Sequence, residues 1–357
     1  MNEVYLAGLD IGGTKLSAVI ATPVGEILAR LQVPAKLESG SFVRFEDGTA
    51  YDGLAIKSIA LLRTAMREAG ITEISAIGIG AAGPLAQGAI LNPTNILLPE
   101  VPDNLPQRPL YLPLVKPLQR EFSVPVKLEN DCNTAVLGEV EYGVGKETAD
   151  KSTLHIAYVT ISTGLGAGIW SERLLRGKDG NAAEIGHILV RENGLRCGCG
   201  NRGCAEAYCS GRGIVRNARA KLAYEGFPET SLLLKLAAYE TEPGANRFAL
   251  LTSITPPLVF QAAQEGDEIA RAVIDDAIYA GGVALATIAN AYDPEVIVLG
   301  GSIAIHHPEL CSPMEAEMRK HITVIPPLVQ LSPLKDRAVE YGAIVIARQA
   351  RNQVATS

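Results

Sequence analysis

The chain has 357 residues, of which 47% are apolar and 20% are charged, and its formal net charge is −7. This length and composition predict two globular domains with ordinary apolar cores. Because the net charge is negative and no basic block occurs, the sequence predicts no binding to nucleic acid.

The first predicted element is an antiparallel meander. Apolar runs at residues 4–10, 16–21 and 26–33 have the length of strands, and glycine-containing turns separate them. The other predicted elements of the first half are a helix at 54–69, a buried strand at 74–80, a short strand at 126–130 and a helix at 132–142.

The second half opens in the same way. Residues 154–161 and 167–170 are predicted strands, separated by the small-residue turn Ser162–Gly166. This arrangement repeats the one around Asp10–Lys15, and it predicts a duplicated α/β unit with a cleft between the copies. The later elements are predicted helices in much of 211–289, a strand at 296–299 and a closing helix at 338–349.

Both glycine-rich turns have features of a phosphate site, because their backbone N–H groups can approach a phosphate without a side chain in the way. In the first turn Thr14 and Lys15 add a hydroxyl and a cation, and Asp10 could hold magnesium through water. Thr163 and Gly164 provide similar groups without the cation. Each turn alone could be an ordinary hairpin, but the presence of both favours phosphate binding.

The segment 187–206 predicts a metal-binding loop. One imidazole and three thiols form a donor set that suits tetrahedral zinc, and four ligands would make the zinc structural. Glu184 before the loop and Glu206 at its end could then bind the hydroxyls of a polyol. The alternative is three buried thiols beside an unrelated histidine. The candidate ligands are His187, Cys197, Cys199 and Cys204.

The same cysteines and the N-terminus favour a cytoplasmic protein. The first residues lack the positive region of a signal peptide, and six cysteines without a disulfide framework indicate a reducing compartment. Residues 152–170 break into strand-like pieces, and residues 277–292 suit a core helix better than a membrane span. No membrane partner is expected.

Two other glycine motifs resemble nucleotide-binding patterns but do not fit them. Gly78–Gly83 matches the dinucleotide pattern G-x-G-x-x-G, but Pro84 and residues 85–91 do not open the helix that this pattern requires. Gly145-Lys146 lacks the spacing of a P-loop.

Glu129-Asn130-Asp131 lies at a predicted strand-to-helix junction. An aspartate at this place is most simply explained as a helix N-cap. Beside two phosphate turns, however, Asp131 could accept a hydroxyl proton while Asn130 orients a sugar. Gly300-Gly301, at the end of a later strand, could pass close under a nucleotide or form a simple turn.

Together these motifs resemble the ROK sugar kinases (repressors, open reading frames and kinases), and the likeness covers nearly the whole chain. The resemblance implies an α/β protein with a duplicated actin-like, hexokinase-like ATPase fold and two domains around a central cleft. The domains would be residues 1–130, completed by a C-terminal helix at 338–357, and residues 131–337. The motifs that carry the resemblance are Asp10–Lys15, Gly78–Gly83, Glu129–Asn133, Ile161–Gly166, Glu184–His187, Cys197–Glu206 and Gly300-Gly301.

The resemblance also implies roles for single residues. Asp131 would be the catalytic base, and His187 would bind zinc through one ring nitrogen and face the sugar with the other. The implied sugar-binding residues are Gly83, Asn95, Asn130, Asp131, Glu184, His187 and Glu206. The residues implied to hold ATP and its Mg²⁺ are Asp10, Gly12, Gly13, Thr14, Lys15, Thr163, Gly164, Gly300 and Gly301.

The expected activity is transfer of the γ-phosphoryl group of ATP to the 6-hydroxyl of a hexose, with glucose as the first choice. N-acetylmannosamine and N-acetylglucosamine are alternative acceptors, polyphosphate is an alternative donor, and a homodimer is expected. The family also includes sugar-responsive repressors with a winged helix-turn-helix ahead of the kinase-like body. Because the first turn already begins at Asp10 and Asp131 is present, we expect a kinase and not a repressor or an inactive sugar-binding protein. Segments 39–53, 99–117 and 227–257 are longer than a minimal member needs and stay unassigned.

Overall fold

The computed structural model describes residues 4–37, 42–45, 48–51, 53–91, 111–178, 180–242 and 246–355. The chain divides into two compact units. The first unit contains Met1–Tyr158, Gly168–Ala182 and Ser332–Ser357, and the second contains Val159–Ala167 and Ala183–Leu331. A domain boundary between residues 130 and 131 stays a prediction.

The described elements follow in chain order. The strands are β1 (Leu6–Ile11), β2 (Lys15–Ala21), β3 (Ile27–Pro34), β4 (Phe42–Phe45), β5 (Gly48–Tyr51), β6 (Ala76–Ala81), β7 (Leu85–Ala86), β8 (Ala89–Leu91), β9 (Tyr111–Pro113), β10 (Val126–Asn130), β11 (His155–Ile161), β12 (Leu165–Ser171), β13 (Arg173–Leu174), β14 (Val296–Gly300) and β15 (Leu328–Leu331). The α-helices are α1 (Gly53–Glu68), α2 (Val115–Phe122), α3 (Asp131–Tyr142), α4 (Gly211–Tyr224), α5 (Leu232–Tyr239), α6 (Arg247–Ser253), α7 (Pro256–Gln264), α8 (Glu268–Tyr292), α9 (Gly301–His306), α10 (Cys311–Met318) and α11 (Ala338–Ala355).

The first sheet has the strand order β3-β2-β1-β6-β10. Strands β1, β2 and β3 form the predicted antiparallel meander, and β1, β6 and β10 run parallel. β6 is buried along its whole length and β1 almost so, which explains why their sequences are continuous apolar runs and do not alternate.

The second sheet has the order β13-β12-β11-β14-β15, with β14 and β15 parallel. As in the first sheet, three consecutive strands (β11, β12 and β13) lie side by side, and the next strand of the sheet, β14, pairs with the first of them. The predicted duplication is therefore confirmed in the strand order.

A third sheet, with the order β4-β5-β9-β8-β7, was not predicted. Its strands have two to four residues. It contains residues 42–45 and 48–51 of the unassigned segment 39–53 and, through β9, residues 111–113 of the segment 99–117. In the third unassigned segment the structure places α5, α6 and the start of α7.

The C-terminal helix α11 explains the glycine at position 78 of the dinucleotide-like motif. α11 contacts β1, β6 and α3. A Cβ atom at Gly78 would lie 1.9 Å from the carbonyl oxygen of Ala343, so a larger residue would push the helix off the sheet. Glu340 of α11 is buried and accepts hydrogen bonds from Nε of Arg30 at 2.8 and 2.9 Å. Gly78 therefore serves helix packing.

Among the described residues, one helix is long and apolar enough to cross a membrane by length and composition, namely α8. In the apolar window of α8, 61% of the residues are buried inside the structure, and a core helix of a soluble protein passes the same test. α8 contacts α4, α7 and α10. Residues 277–292 are thus part of a packed core helix, as predicted.

Candidate functional site

The first glycine-rich turn joins β1 to β2, and the N–H of Gly12 donates to the carbonyl of Lys15 at 3.0 Å. Asp10 lies at the end of β1, beside this turn. Burial, with the nearby carboxylates of Glu340 and Asp131, raises the pKa of Asp10 to about 8, although Lys15 opposes the shift. A cation bound beside Asp10 would oppose this shift and favour the charged carboxylate.

At the strand-to-helix junction after β10, the sequence offered two roles for Asp131, helix N-cap and proton acceptor. Asn130 is the N-cap of α3, and its Oδ1 accepts from the N–H groups of Cys132 at 2.9 Å and Asn133 at 3.2 Å. Asp131 lies in the first helical turn, so the interpretation of Asp131 as the N-cap is wrong. Burial raises the pKa of Asp131, which strengthens the carboxylate as a proton acceptor.

Glu129 holds this junction from β10. Its Oε1 accepts from the N–H of Asn130 at 3.2 Å and from Nδ2 of Asn133 at 3.1 Å, and its Oε2 accepts from Nε of Arg176 at 2.6 Å. The sequence did not indicate Arg176, which is 47 residues away along the chain.

Gly83 and Asn130 lie together in the first unit. A Cβ atom at Gly83 would be 3.5 Å from Nδ2 of Asn130, and both residues line a pocket of about 340 Å³. Of the residues implied to bind sugar, Asn95 lies outside the described part of the chain.

The second glycine-rich turn joins β11 to β12 in the second unit. The N–H of Leu165 donates to Oε2 of Glu206 at 3.2 Å, and a Cβ atom at Gly164 would be 2.7 Å from the same oxygen. The N–H of Gly211, at the start of α4, donates to the carbonyl of Ser162 at 2.7 Å. The structure therefore brings the second turn, Glu206 and the start of α4 together.

Four side chains, which we call the Cys/His cluster, converge in the loop 187–206. One ligand atom from each of them lies within 4.8 Å of all the others, and the sulfur atoms of Cys199 and Cys204 are 3.8 Å apart. Thiolates about 2.3 Å from a tetrahedral zinc are about 3.8 Å apart, so the cluster fits this ion. The ring nitrogen of His187 that faces Cys197 is Nδ1, at 3.7 Å from its sulfur. The cluster consists of His187, Cys197, Cys199 and Cys204.

Burial raises the pKa of Cys197 to about 12 and also raises that of Cys204. Without a cation both thiols are therefore protonated near neutral pH. A metal ion that binds thiolates would have to displace these protons.

The segment 187–206 is attached to α8 by a polar network. Arg191 donates to Oδ1 of Asp276 on α8 at 2.6 Å, and its guanidinium lies 5.2 Å from the ring centroid of Tyr208. The hydroxyl of Tyr208 accepts from the N–H of Leu195 at 2.8 Å. These contacts fix the loop that carries the cluster against α8.

Glu184 precedes this loop and Glu206 ends it, and their described surroundings differ. Oε1 of Glu206 is 3.6 Å from the sulfur of Cys197, but Glu206 is not a member of the cluster. Glu184 precedes a short 3-10 helix, Ile185–His187. A Cβ atom at Gly186 in this helix would lie 3.5 Å from Cβ of Glu206, so the two segments pack against each other.

Gly300 and Gly301 stand where β14 meets α9, beside the second turn. Gly301 has φ of +84°, and a Cβ atom there would lie 2.6 Å from the carbonyl oxygen of Ile161. The hydroxyls of Ser162 and Ser302 are 3.0 Å apart. This close approach to Ile161 explains why position 301 is a glycine, and contact of the pair with a nucleotide stays a prediction.

A pocket of about 460 Å³, which we call the α4 pocket, opens at the second turn. Ser162, Thr163 and Ser302 line it on one side. Three arginines of α4, which the sequence analysis did not single out, also line it: Arg212, Arg216 and Arg219. Their i, i+4, i+7 spacing was the available signal, because such residues share one helix face.

Residues 6–350 match the sequence model of the ROK family. The chain is 31% identical over 358 residues to a glucokinase of Thermotoga maritima, covering 98% of this chain and 99% of that protein. It is 26% identical over 349 residues to a xylose repressor of Caldicellulosiruptor bescii, covering 96% of this chain and 77% of the repressor.

Among solved structures, a ROK family glucokinase from Streptomyces griseus in complex with glucose and AMPPNP has a TM-score of 0.71 and 28% identity. The match covers 97% of this chain and 99% of that chain. These neighbours confirm the actin-like α/β fold that the sequence motifs implied. With nearly its whole length matched, the chain belongs to the ROK family.

Proposed function

We propose that this protein is an ATP-dependent sugar kinase that transfers the γ-phosphoryl group of ATP to the 6-hydroxyl of glucose. The observation that carries the proposal is the state of Asp131. Asn130 caps α3 in its place, and burial raises the pKa of Asp131. The Asp131 carboxylate also accepts from the N–H of Cys132 at 2.9 Å, and a carboxylate that holds a proton more tightly than usual suits a general base.

Relatives support the choice of both substrates. The Thermotoga maritima relative is a glucokinase, and the Streptomyces griseus structure binds glucose together with an ATP analogue. By analogy, the sugar would be held by Asn130, Glu184, His187 and Glu206, with Gly83 beside Asn130. N-acetylmannosamine and N-acetylglucosamine stay alternative acceptors because they share most of the hydroxyls of glucose.

The donor phosphates would lie on both glycine-rich turns. In the first turn the N–H groups of Gly13 and Thr14 and the ammonium group of Lys15 would bind them. In the second, Thr163 and Gly164 would do so, with Gly300 and Gly301 beneath the nucleotide. Magnesium, held near Asp10, would neutralise phosphate charge when bound.

The chain's own residues then have three tasks. Asp131 accepts the proton of the sugar hydroxyl as the new bond to phosphorus forms. Asn130 and Glu206 orient the sugar, and positioning supplies much of the rate because the transition state of phosphoryl transfer is loose. Closure around the substrates would exclude water and limit ATP hydrolysis.

The Cys/His cluster would hold a structural zinc ion. Its four ligands leave no open position for a substrate, and Glu206 follows Cys204 by two residues. The zinc would therefore fix the direction of the Glu206 carboxylate without activating water.

A sugar-responsive repressor is the second candidate, because the chain resembles a xylose repressor over 77% of that repressor's length. This likeness supports sugar binding, but a repressor does not require a general base at Asp131. We expect a soluble, cytoplasmic homodimer that does not bind DNA.

A coupled assay of ADP release across a hexose panel tests the proposal. Glucose should give the highest kcat/KM with ATP as donor, followed by mannose and the two N-acetylhexosamines. The product should be the 6-phosphate by NMR. Sugar binding without phosphoryl transfer from ATP or polyphosphate, combined with sugar-dependent DNA binding, would favour the repressor instead.

A further inference from the structure

The carboxylate of Glu129 closes a ring of hydrogen bonds around the start of α3. Its Oε1 accepts from the N–H of Asn130 and from Nδ2 of Asn133, while the N–H of Asn133 donates to Oδ1 of Asn130. Glu129 and Asn133 are both buried, so little water competes for these bonds. One carboxylate oxygen therefore fixes Asn130 and, with it, the neighbouring Asp131.

The second oxygen of the same carboxylate is held by Arg176. Nε of Arg176 donates to Oε2 of Glu129 at 2.6 Å, and the side chain of Arg176 is 43% exposed whereas that of Glu129 is 8% exposed. A buried carboxylate is costly without a partner, because burial removes its hydration. A hydrogen bond from a charged guanidinium is short and strong, so Arg176 both neutralises the charge and fixes the plane of the carboxylate.

A second cation on β10, Lys127, is engaged elsewhere. Lys127 comes two residues before Glu129, so strand alternation places both residues on the same face. However, Nζ of Lys127 donates to Oε1 of Gln349 on α11 at 3.2 Å. Burial and the charge of Arg176 lower the pKa of Lys127, although Glu129 opposes the shift. The described ion pair of Glu129 is the one with Arg176.

The backbone of Arg176 is fixed as well. The N–H of Ala182 donates to the carbonyl of Arg176 at 3.1 Å and so closes a loop between the two residues. Asn181, in this loop, lines the same pocket of about 340 Å³ as Asn130. Arg176 therefore joins the loop to the start of α3 within the first unit, through its carbonyl on one side and its guanidinium on the other.

We infer that Arg176 is a positioning residue of the phosphoryl transfer and acts through Glu129. The inference rests on the proposed function, in which Asn130 orients the sugar and Asp131 accepts its hydroxyl proton. Without Arg176, the Glu129 carboxylate would turn toward water or take up a proton, and the ring around Asn130 would loosen. Since the base must lie within hydrogen-bond reach of the hydroxyl, a small shift of Asp131 would lower the rate.

The main variant is Arg176→Gln, compared with the parent protein in steady-state kinetics with glucose and ATP. We expect kcat to fall roughly ten- to a hundred-fold, because a misplaced base acts on the transition state. The KM for glucose should rise by less than kcat falls, since Glu184, His187 and Glu206 would still hold the sugar. The KM for ATP and the zinc content should stay at parental values. Arg176→Lys keeps a cation near Glu129 and should recover part of kcat.

Two further variants separate positioning from simple stabilisation. In the Glu129→Gln background, Arg176→Gln should have little further effect on kcat, because both changes break the same contact. Arg348→Gln is the matched control. Arg348 donates from Nη2 to Oε2 of Glu141 at 2.8 Å, an ion pair that also supports α3 but lies in its last turn. This variant should keep the parental kcat and both KM values, whatever its melting temperature.

Amide hydrogen exchange measures the ring of hydrogen bonds independently of activity. Arg176→Gln should speed exchange of the N–H groups of Asn130 and Asn133 and leave the second half of α3 unchanged. Unchanged kcat, or unchanged exchange at these two amides, would overturn the inference, even if the melting temperature fell. Failure of the proposed function is distinct, because the parent protein would then transfer no phosphate to any hexose while exchange at the two amides still depended on Arg176.

Discussion

The two glycine-rich turns follow β1 and β11, which hold equivalent places in the two duplicated sheets, but their charges come from different sources. The first turn carries Asp10 and Lys15 itself. The second has no charged residue from Ile161 to Gly166, and the carboxylate beside it comes from Glu206, through the N–H of Leu165.

This difference shows that duplication preserved the backbone turn and not its chemistry. The carboxylates at the first turn are those of Asp10 in β1, Asp131 in α3 and Glu340 in α11. The second depends on a loop whose cysteines converge on one point. We therefore expect loss of metal to disturb the second turn and leave the first unchanged, while substitutions around the first turn should not affect the metal.

The largest effect should come from Asp131→Asn, next to the first turn. Removing the general base should lower kcat by about 10²- to 10⁴-fold. Sugar binding and thermal stability should be largely retained, because Asn130 and not Asp131 caps α3. Steady-state kinetics and a melting curve measure both. Asp150→Asn, which changes an exposed N-cap carboxylate, serves as the control. Turnover within a few-fold of the parent would rule out Asp131 as the base.

Removal of the metal should have the next largest effect and act on the second turn. We expect elemental analysis to find about one zinc per chain in the parent protein. Cys204→Ser should lose this zinc and weaken sugar binding at least as much as any substitution of Glu206. Cys311→Ser, outside the Cys/His cluster, should keep both properties. A metal-free parent with full activity would contradict the structural site and its role in orienting Glu206.

Glu206→Gln and Glu184→Gln should have a moderate effect. Loss of a hydrogen bond to a bound hydroxyl should weaken sugar binding by roughly ten- to a hundred-fold in each variant. Zinc content and nucleotide affinity should stay near parental values, because glutamine keeps an acceptor for the N–H of Leu165. Sugar titration, nucleotide titration and zinc determination on each variant measure this.

The same variants distinguish three roles for the Glu206 carboxylate. Weaker nucleotide binding in Glu206→Gln would mean that the carboxylate supports the second turn directly. Zinc loss would mean that it supports the metal-binding loop, and unchanged sugar affinity in both variants would remove the two residues from the sugar site.

The smallest effect concerns the pH dependence of stability at the first turn. In the protein without magnesium or nucleotide, the pKa of Asp10 is about 8, against 3.8 for an unperturbed aspartate. The folded state therefore holds this proton more tightly than the unfolded state. The resulting stabilisation is complete below about pH 4 and is lost as the pH rises to about 8.

Asp10→Asn removes this titration. Between about pH 5.5 and about pH 7.5, the free energy of unfolding of the variant should gain roughly 1–3 kcal/mol on that of the parent. Urea unfolding at both pH values measures the difference. A difference that does not change with pH would mean that Asp10 titrates at its ordinary pKa.

Long elements and local motifs could be predicted from the sequence. The meander, the buried strand β6 and the closing helix were found because each presents enough residues to show a period or an apolar run. The strands of the third sheet have two to four residues, which is too short for such a pattern. The Cys/His cluster was recognisable because three of its ligands lie within eight residues of each other.

The sequence by itself therefore determined the meander, the repeated strand-turn-strand arrangement of the halves, both glycine-rich turns and the composition of the Cys/His cluster. Only the tertiary structure decided that Asn130 caps α3, that Arg176 holds Glu129, and that Arg216 and Arg219 line a pocket at the second turn. It also decided that burial, together with Glu340 of α11, raises the pKa of Asp10. The physical reason is distance along the chain. Periodicity and ligand spacing are local properties, whereas burial, charge interaction and pocket lining depend on which remote segments pack together.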